Sequence, residues 1–232
     1  MTAGSLQTLG RTASPPLLLL AAIAAGTSYL PASWLLPHGP GIVAWKGLGV
    51  GLLALWAWRT LAAPDRYWVA GFLALGALGD VLIDATGLIA GALAFLAGHV
   101  VATVHYLRHR RAEPLHSWAP IALGRLVIIP VLAFSFPADR SAAPGVALYA
   151  LGLAAMAASA WMSRFPRRRV SLGALLFAVS DLLIFARMGP LAGSIVPTLG
   201  IWPLYFAGQV LIATGIVGYL GRQHDPDIGA AR

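Results

Sequence analysis

Cysteine is absent from the sequence, so neither a disulfide framework nor a thiolate metal site can form, and nothing about redox compartment can be read. Charge is scarce too: 10% of residues are charged, where a soluble domain carries roughly a quarter. Also missing are a His-Glu-x-x-His helix, a Gly-x-Ser-x-Gly elbow and a Walker loop, which leaves a zinc protease, a serine hydrolase or a nucleotide motor without a motif. The histidines are scattered too widely along the chain to predict a metal site. Neither a metal nor an organic cofactor is expected.

What fills the chain instead is apolar. Of 232 residues 59% are hydrophobic, and the mean hydropathy is +0.78. Apolar runs of about 20 residues, enough to cross a hydrocarbon layer of about 30 Å, recur from end to end. They leave no room for a soluble domain, so an all-α membrane bundle of eight helices is expected, one domain over residues 1–232. The helices are predicted near 15–30, 42–61, 66–85, 88–107, 118–136, 143–162, 170–188 and 202–220. The net charge of +8 does not point to nucleic acid, because the arginines sit in short clusters between apolar runs. If the N-terminus is cytoplasmic, twelve arginines fall in inside segments, from Arg11 to Arg232, and only Arg140 and Arg187 in outside ones. That is a strong positive-inside bias, and it predicts a bacterial cytoplasmic membrane protein with both termini inside.

The first apolar run, preceded by Arg11, resembles a cleaved signal peptide, but an internal correspondence argues for keeping it as a helix. Gly79-Asp80-Val81-Leu82-Ile83 parallels Ser180-Asp181-Leu182-Leu183-Ile184, and Ala97-Gly98-His99-Val100-Val101 parallels Ala207-Gly208-Gln209-Val210-Leu211. Lys46 precedes the first aspartate much as Tyr149 precedes the second. Two four-helix halves in parallel orientation would bring both aspartate helices to one central cavity.

Polar groups inside such spans are costly and mark function by default. Lys46, the only lysine, lies about 6 Å below the outer edge of its helix; Asp80 and Asp181 lie about 21 and 16 Å up from the inner ends of theirs, and Gln209 about 10 Å down from the outer end. All four therefore share the outer half. Tyr205 shares a helical face with Gln209. His99, near mid-span, orients an aspartate, relays protons or simply packs. Asp84 reads as an interfacial or capping group, and His105 and Tyr106 read as members of an aromatic belt. Arg125 is buried deep enough for function, for pairing with carbonyls or for snorkelling.

As a set these residues resemble the YhhN family, whose eukaryotic relatives are lysoplasmalogenases. The likeness rests on Lys46, Gly79-Asp80, His99, Val146 with Tyr149 and Met156, Gly173-Ala174 with Ser180-Asp181, and Tyr205 with Gln209. The chain departs from the family at Gly47 and Gly49, where proline and threonine are common, and at Ala102, where tyrosine is common; pocket shape and substrate choice are affected. The resemblance implies an eight-helix fold and hydrolysis of the vinyl ether bond of a lysophospholipid, giving a fatty aldehyde and a glycerophospho-alcohol. Such chemistry needs an acid and a base. Burial in an apolar site favours a neutral carboxylic acid, so one of Asp80 and Asp181 stays protonated while the other ionises beside a cation. Lys46, His99, Tyr149, Tyr205 and Gln209 are then expected to bind substrate, and the expected partners are a lysophospholipid and membrane lipids. A transporter or lipid translocator built around the same polar site is the rival reading, and a scaffold held by a structural ion pair is a third.

Overall fold

In lipid every backbone N–H and C=O must be satisfied within the protein, and helices do this segment by segment. The computed structural model describes residues 16–223 and is almost wholly helical over them. The expected helix start at Pro15, Arg11 and Arg232 lie outside the described residues. The helices are α1 (Pro16–Leu35), α2 (Pro40–Thr60), α3 (Asp65–Ala85), α4 (Leu88–Arg108), α5 (Leu115–Ser135), α6 (Ala143–Met162), α7 (Leu172–Arg187) and α8 (Ile195–Gln223), with a π-helical turn over Arg167–Ser171 leading into α7. Eight helical segments are long and apolar enough to cross a membrane, so the chain is an integral multi-pass membrane protein.

Two helices run further than expected. α8 starts at Ile195 rather than Trp202, and α1 continues past Pro31 to Leu35. Pro197 sits in the first turn of α8, where the missing N–H has no intrahelical acceptor to lose. Pro203 and Pro31 are carried inside their helices, as membrane helices tolerate when neighbours satisfy the freed carbonyls.

Short connections make successive helices antiparallel neighbours, and the packing runs α1 on α2, α2 on α3, α3 on α4, α4 on α6 and α7 on α8, with α8 closing onto α1 and α2. α5 packs on α6 and α7 and presents Leu123, Val127, Ile128 and Val131 outward. α1 is built in: the Trp202 indole N–H donates to the Gly26 carbonyl at 2.7 Å, and the Trp45 indole N–H to the Ala25 carbonyl at 3.1 Å. Arg125 of α5 donates to the Ala157 carbonyl at 2.6 Å and to Ser171 Oγ at 2.8 Å, tying α5 to α6 and to the π turn. Of the three roles open to it, this is carbonyl pairing.

Two helix pairs cross in a similar way. A Cβ added to Gly98 of α4 would meet Phe72 O at 3.4 Å and Gly76 N at 4.0 Å, and one on Gly208 of α8 would meet Gly173 O at 2.7 Å and Phe177 N at 3.1 Å. Phe72 and Gly173, and Gly76 and Phe177, are related by the same step in sequence as Asp80 and Asp181. Thus α4 crosses α3 where α8 crosses α7, and small residues set both crossings. The correspondence stops there, since α2 packs along α3 whereas α6 only touches α7. A repeat of the whole chain is not established.

Candidate active site

Between the α3/α4 pair and the α7/α8 pair lies a layer of large side chains rather than close backbones. Phe95, Phe177 and Tyr205 meet edge to face with centroids 5.0–5.9 Å apart. This aromatic cluster leaves polar space around it, and the two aspartates enter from opposite sides.

Asp80, 3% exposed, accepts a hydrogen bond from the Tyr205 hydroxyl at 2.7 Å. Gln209 Nε2 in turn donates to the Tyr205 oxygen at 3.4 Å. Tyr205 and Gln209 approach α3 closely at Gly76: a Cβ there would stand 3.0 Å from Gln209 Nε2 and 3.4 Å from the Tyr205 hydroxyl. Asp181, 6% exposed, accepts from the Tyr149 hydroxyl at 2.6 Å. His99 Nε2 lies 3.1 Å from the same hydroxyl and 3.9 Å from Asp181 Oδ2. Because the Tyr149 proton is committed to Asp181, His99 must donate its Nε2–H to the tyrosine oxygen, which fixes the imidazole tautomer. Each aspartate therefore ends a chain of two hydrogen bonds.

A cavity of about 360 Å³ is shared by Lys46, Asp80, Asp84, Ser180, Asp181, Arg187 and Tyr205. Asp181 and Tyr149 also line a groove of about 580 Å³ between α4, α6 and α7, walled by apolar side chains. Ile89, Leu93 and Leu148 on that wall are largely exposed, so the groove faces the membrane side of the bundle. Deeper, His99 and Gln209 line a cavity of about 20 Å³, room for about one water. Ala102, where the family often carries tyrosine, lines it as well.

Both aspartates, Lys46 and Tyr205 thus meet in one cavity, while Tyr149, His99 and Gln209 act on it through hydrogen-bond chains. Three features differ from what the sequence suggested. Asp84 is no isolated cap: its Oδ1 accepts from Lys46 Nζ at 2.7 Å, so the lysine is paired with Asp84 rather than Asp80. Arg187, seen only as an outside cation, lines the cavity beside that pair. His105 and Tyr106 have no exposed surface and are core residues instead of an interfacial belt, because α4 turns that face onto the 163–165 connection. Arg187 was legible as a cation one and a half turns beyond Asp181, but the Lys46–Asp84 pairing required knowing how α2 faces α3.

Comparison with curated proteins and with solved structures gives no match. The sequence model of the YhhN family matches residues 41–216, from the start of α2 into α8, a stretch that contains every residue of the cavity described above. The chain belongs to the YhhN family.

Proposed function

We propose that this protein is a membrane-embedded hydrolase that cleaves the vinyl ether bond of lysoplasmalogen-type lysophospholipids. The observation that carries the reading is the position of Asp181: it borders both an apolar groove open to the membrane side and a polar cavity that holds a second buried carboxyl group. A single-chain amphiphile needs such a junction, with its hydrocarbon tail in the groove and its glycerophospho headgroup towards Lys46 and Arg187. The vinyl ether, which joins tail to headgroup, then falls beside Asp181.

In this mechanism Asp181, oriented by Tyr149 and His99, gives its proton to the alkene carbon and leaves an oxocarbenium ion at the ether carbon. Asp80, held by Tyr205, removes a proton from water as the water oxygen bonds to that carbon. The resulting hemiacetal collapses: its hydroxyl loses a proton, the C–O bond to glycerol breaks and the departing oxygen is protonated. One water is consumed, aldehyde and alcohol are produced, and a proton passing from Asp80 to Asp181 through the shared cavity restores the starting state. The arginine-rich ends of the helices face the cytoplasm in this reading, which puts the cavity in the outer half of the membrane.

Purified protein in detergent with 1-alkenyl lysophospholipid should release one fatty aldehyde per ether cleaved. The 1-acyl lysophospholipid with the same headgroup should stay intact. Absence of aldehyde from folded protein would reject the hydrolase and leave a lipid translocator, which needs two compartments to be detected.

A further inference from the structure

At the opposite end of the helices from this cavity, a second polar cluster takes no part in the proposed reaction. Asp65 opens α3, His105 lies in the last turn of α4 and His109, four residues on, caps its end, so the two imidazoles lie on the same side. His109 Nε2 is 3.5 Å and His105 Nδ1 3.8 Å from the same carboxylate oxygen, Asp65 Oδ1. The ligand-type atoms of the three residues lie within 4.8 Å of one another.

Hydrogen bonding fixes what these atoms can do. His109 Nδ1 is 3.1 Å from the His105 carbonyl, which only accepts, so Nδ1 carries a proton and Nε2 is the ring nitrogen that faces Asp65. His105 is fully buried, and neither of its ring nitrogens has a hydrogen-bond partner among the described residues, an arrangement that natural interiors rarely leave unresolved. The neighbouring arginines do not answer the need: Arg66 stacks over Trp58 and Arg108 over Trp68.

The surroundings also preset the imidazoles. Phe165 lies against both rings, at 5.5 Å from His105 and 5.0 Å from His109. Phe165 is itself held by Arg111, which donates to the Ser163 carbonyl at 2.6 Å and to the Phe165 carbonyl at 2.9 Å. The His109 Nδ1–H bond to a carbonyl is the outer-shell arrangement that orients a metal-bound imidazole. In a tetrahedral zinc site with bonds of about 2.0–2.1 Å, ligand atoms stand about 3.3 Å apart, so small side-chain movements close this cluster around an ion.

We propose that Asp65, His105 and His109 form a binding site for one divalent transition metal ion of the zinc class, joining the start of α3 to the end of α4. Two neutral imidazoles and one carboxylate, with no thiolate in the chain, suit zinc and its neighbours rather than calcium or magnesium, which prefer oxygen ligands. The site leaves a coordination position for water.

Full-length protein carrying a histidine-free affinity tag, stripped with chelator and titrated calorimetrically with Zn²⁺ alone, should bind one ion per chain and unfold at a higher temperature when loaded. His109→Ala, at a partly exposed position, and the near-isosteric Asp65→Asn should each weaken binding at least about tenfold and abolish the thermal rise. His116→Ala, outside the cluster, should change neither. Failure of the folded protein to bind stoichiometric zinc overturns the proposal, as does binding undiminished in both variants. Should His109→Ala fail to fold, Asp65→Asn decides alone. Vinyl ether cleavage takes no part in this readout, so the two proposals stand or fall separately.

Discussion

Asp80 and Asp181 occupy corresponding places on α3 and α7, and each accepts a short hydrogen bond from a tyrosine, buried in the case of Tyr205 and partly buried in the case of Tyr149. The tyrosines come from different directions, however: Tyr205 reaches Asp80 from α8 with Gln209 behind it, whereas Tyr149 reaches Asp181 from α6 with His99 behind it. Asp80 borders the polar cavity, and Asp181 borders both that cavity and the apolar groove. An imidazole has two ring nitrogens, one of which can accept a proton while the other gives one up, and an amide has no such pair. Two carboxyl groups at equivalent positions are thereby set up for unequal work: the one that meets the hydrocarbon has an imidazole behind its tyrosine, and the one that meets water has an amide as a fixed orienting group.

The largest effects come from removing either carboxyl group. Asp181→Asn and Asp80→Asn should each lower kcat for aldehyde release by about 10³-fold with KM little changed, as expected for loss of a proton-transfer group. Retention of near-normal turnover by either variant would break the division of labour. Next in size are the supporting residues. Tyr149→Phe and Tyr205→Phe should cost about 10–100-fold each in kcat, and His99→Gln, which makes the Asp181 chain resemble the Asp80 chain, about tenfold. If His99→Gln is silent while Tyr149→Phe is not, the histidine only packs against Phe177, and the relay is removed from the mechanism.

Smaller again is the headgroup end. Lys46→Met or Arg187→Met should raise KM for a phosphate-bearing substrate by about tenfold with kcat largely kept, because a cation on an unreacting part of the substrate contributes binding common to ground and transition states. A 1-alkenyl glycerol without phosphate should show no such change. Equal losses with both substrates would mean that the Lys46–Asp84 pair holds α2 to α3 instead.

Much of this is legible in the sequence, for identifiable reasons. A span betrays itself by length and apolarity, so eight helices could be counted, and α6 was placed to the residue because Pro144 and Ser163 punctuate it. Depth along a span follows from 1.5 Å per residue, which is why Asp80, Asp181, Lys46 and Gln209 could be assigned to one layer. Rotation about each helix axis does not follow from depth. In a helix apolar all round, hydrophobic periodicity gives no facing direction, so the partner of Lys46 and the burial of His105 stayed hidden. The Asp65 cluster joins residues forty positions apart, and the i, i+4 spacing of His105 and His109 says nothing until α3 is seen beside α4. Tyr149 is marked in the sequence only by its spacing from Asp181, parallel to that of Lys46 from Asp80, and by family likeness: a tyrosine in an apolar helix has many uses, and the 2.6 Å bond to Asp181 selects one.

The smallest effect expected lies at the arginine-rich end and serves to isolate the comparison. Glu113, the sole glutamate, sits on the connection between α4 and α5 and accepts hydrogen bonds from Arg167 at 2.7 Å and Arg111 at 3.2 Å. Those bonds, Arg167 first, hold its carboxyl below the ordinary value of 4.5. A group depressed on folding adds stability that is fully present above its unfolded value and fades as pH falls through the lower folded one. Thermal unfolding of the wild type should therefore lose a small increment below pH 4.5, and Glu113→Gln should lack that increment; added salt should shrink the difference, because the pair is open to solvent. Aldehyde release should be the same in Glu113→Gln as in the wild type. If this remote change instead slowed turnover as much as Tyr149→Phe, the effect of the tyrosine would reflect general loosening of the bundle, and the contrast between the Asp80 and Asp181 chains would have no mechanistic content.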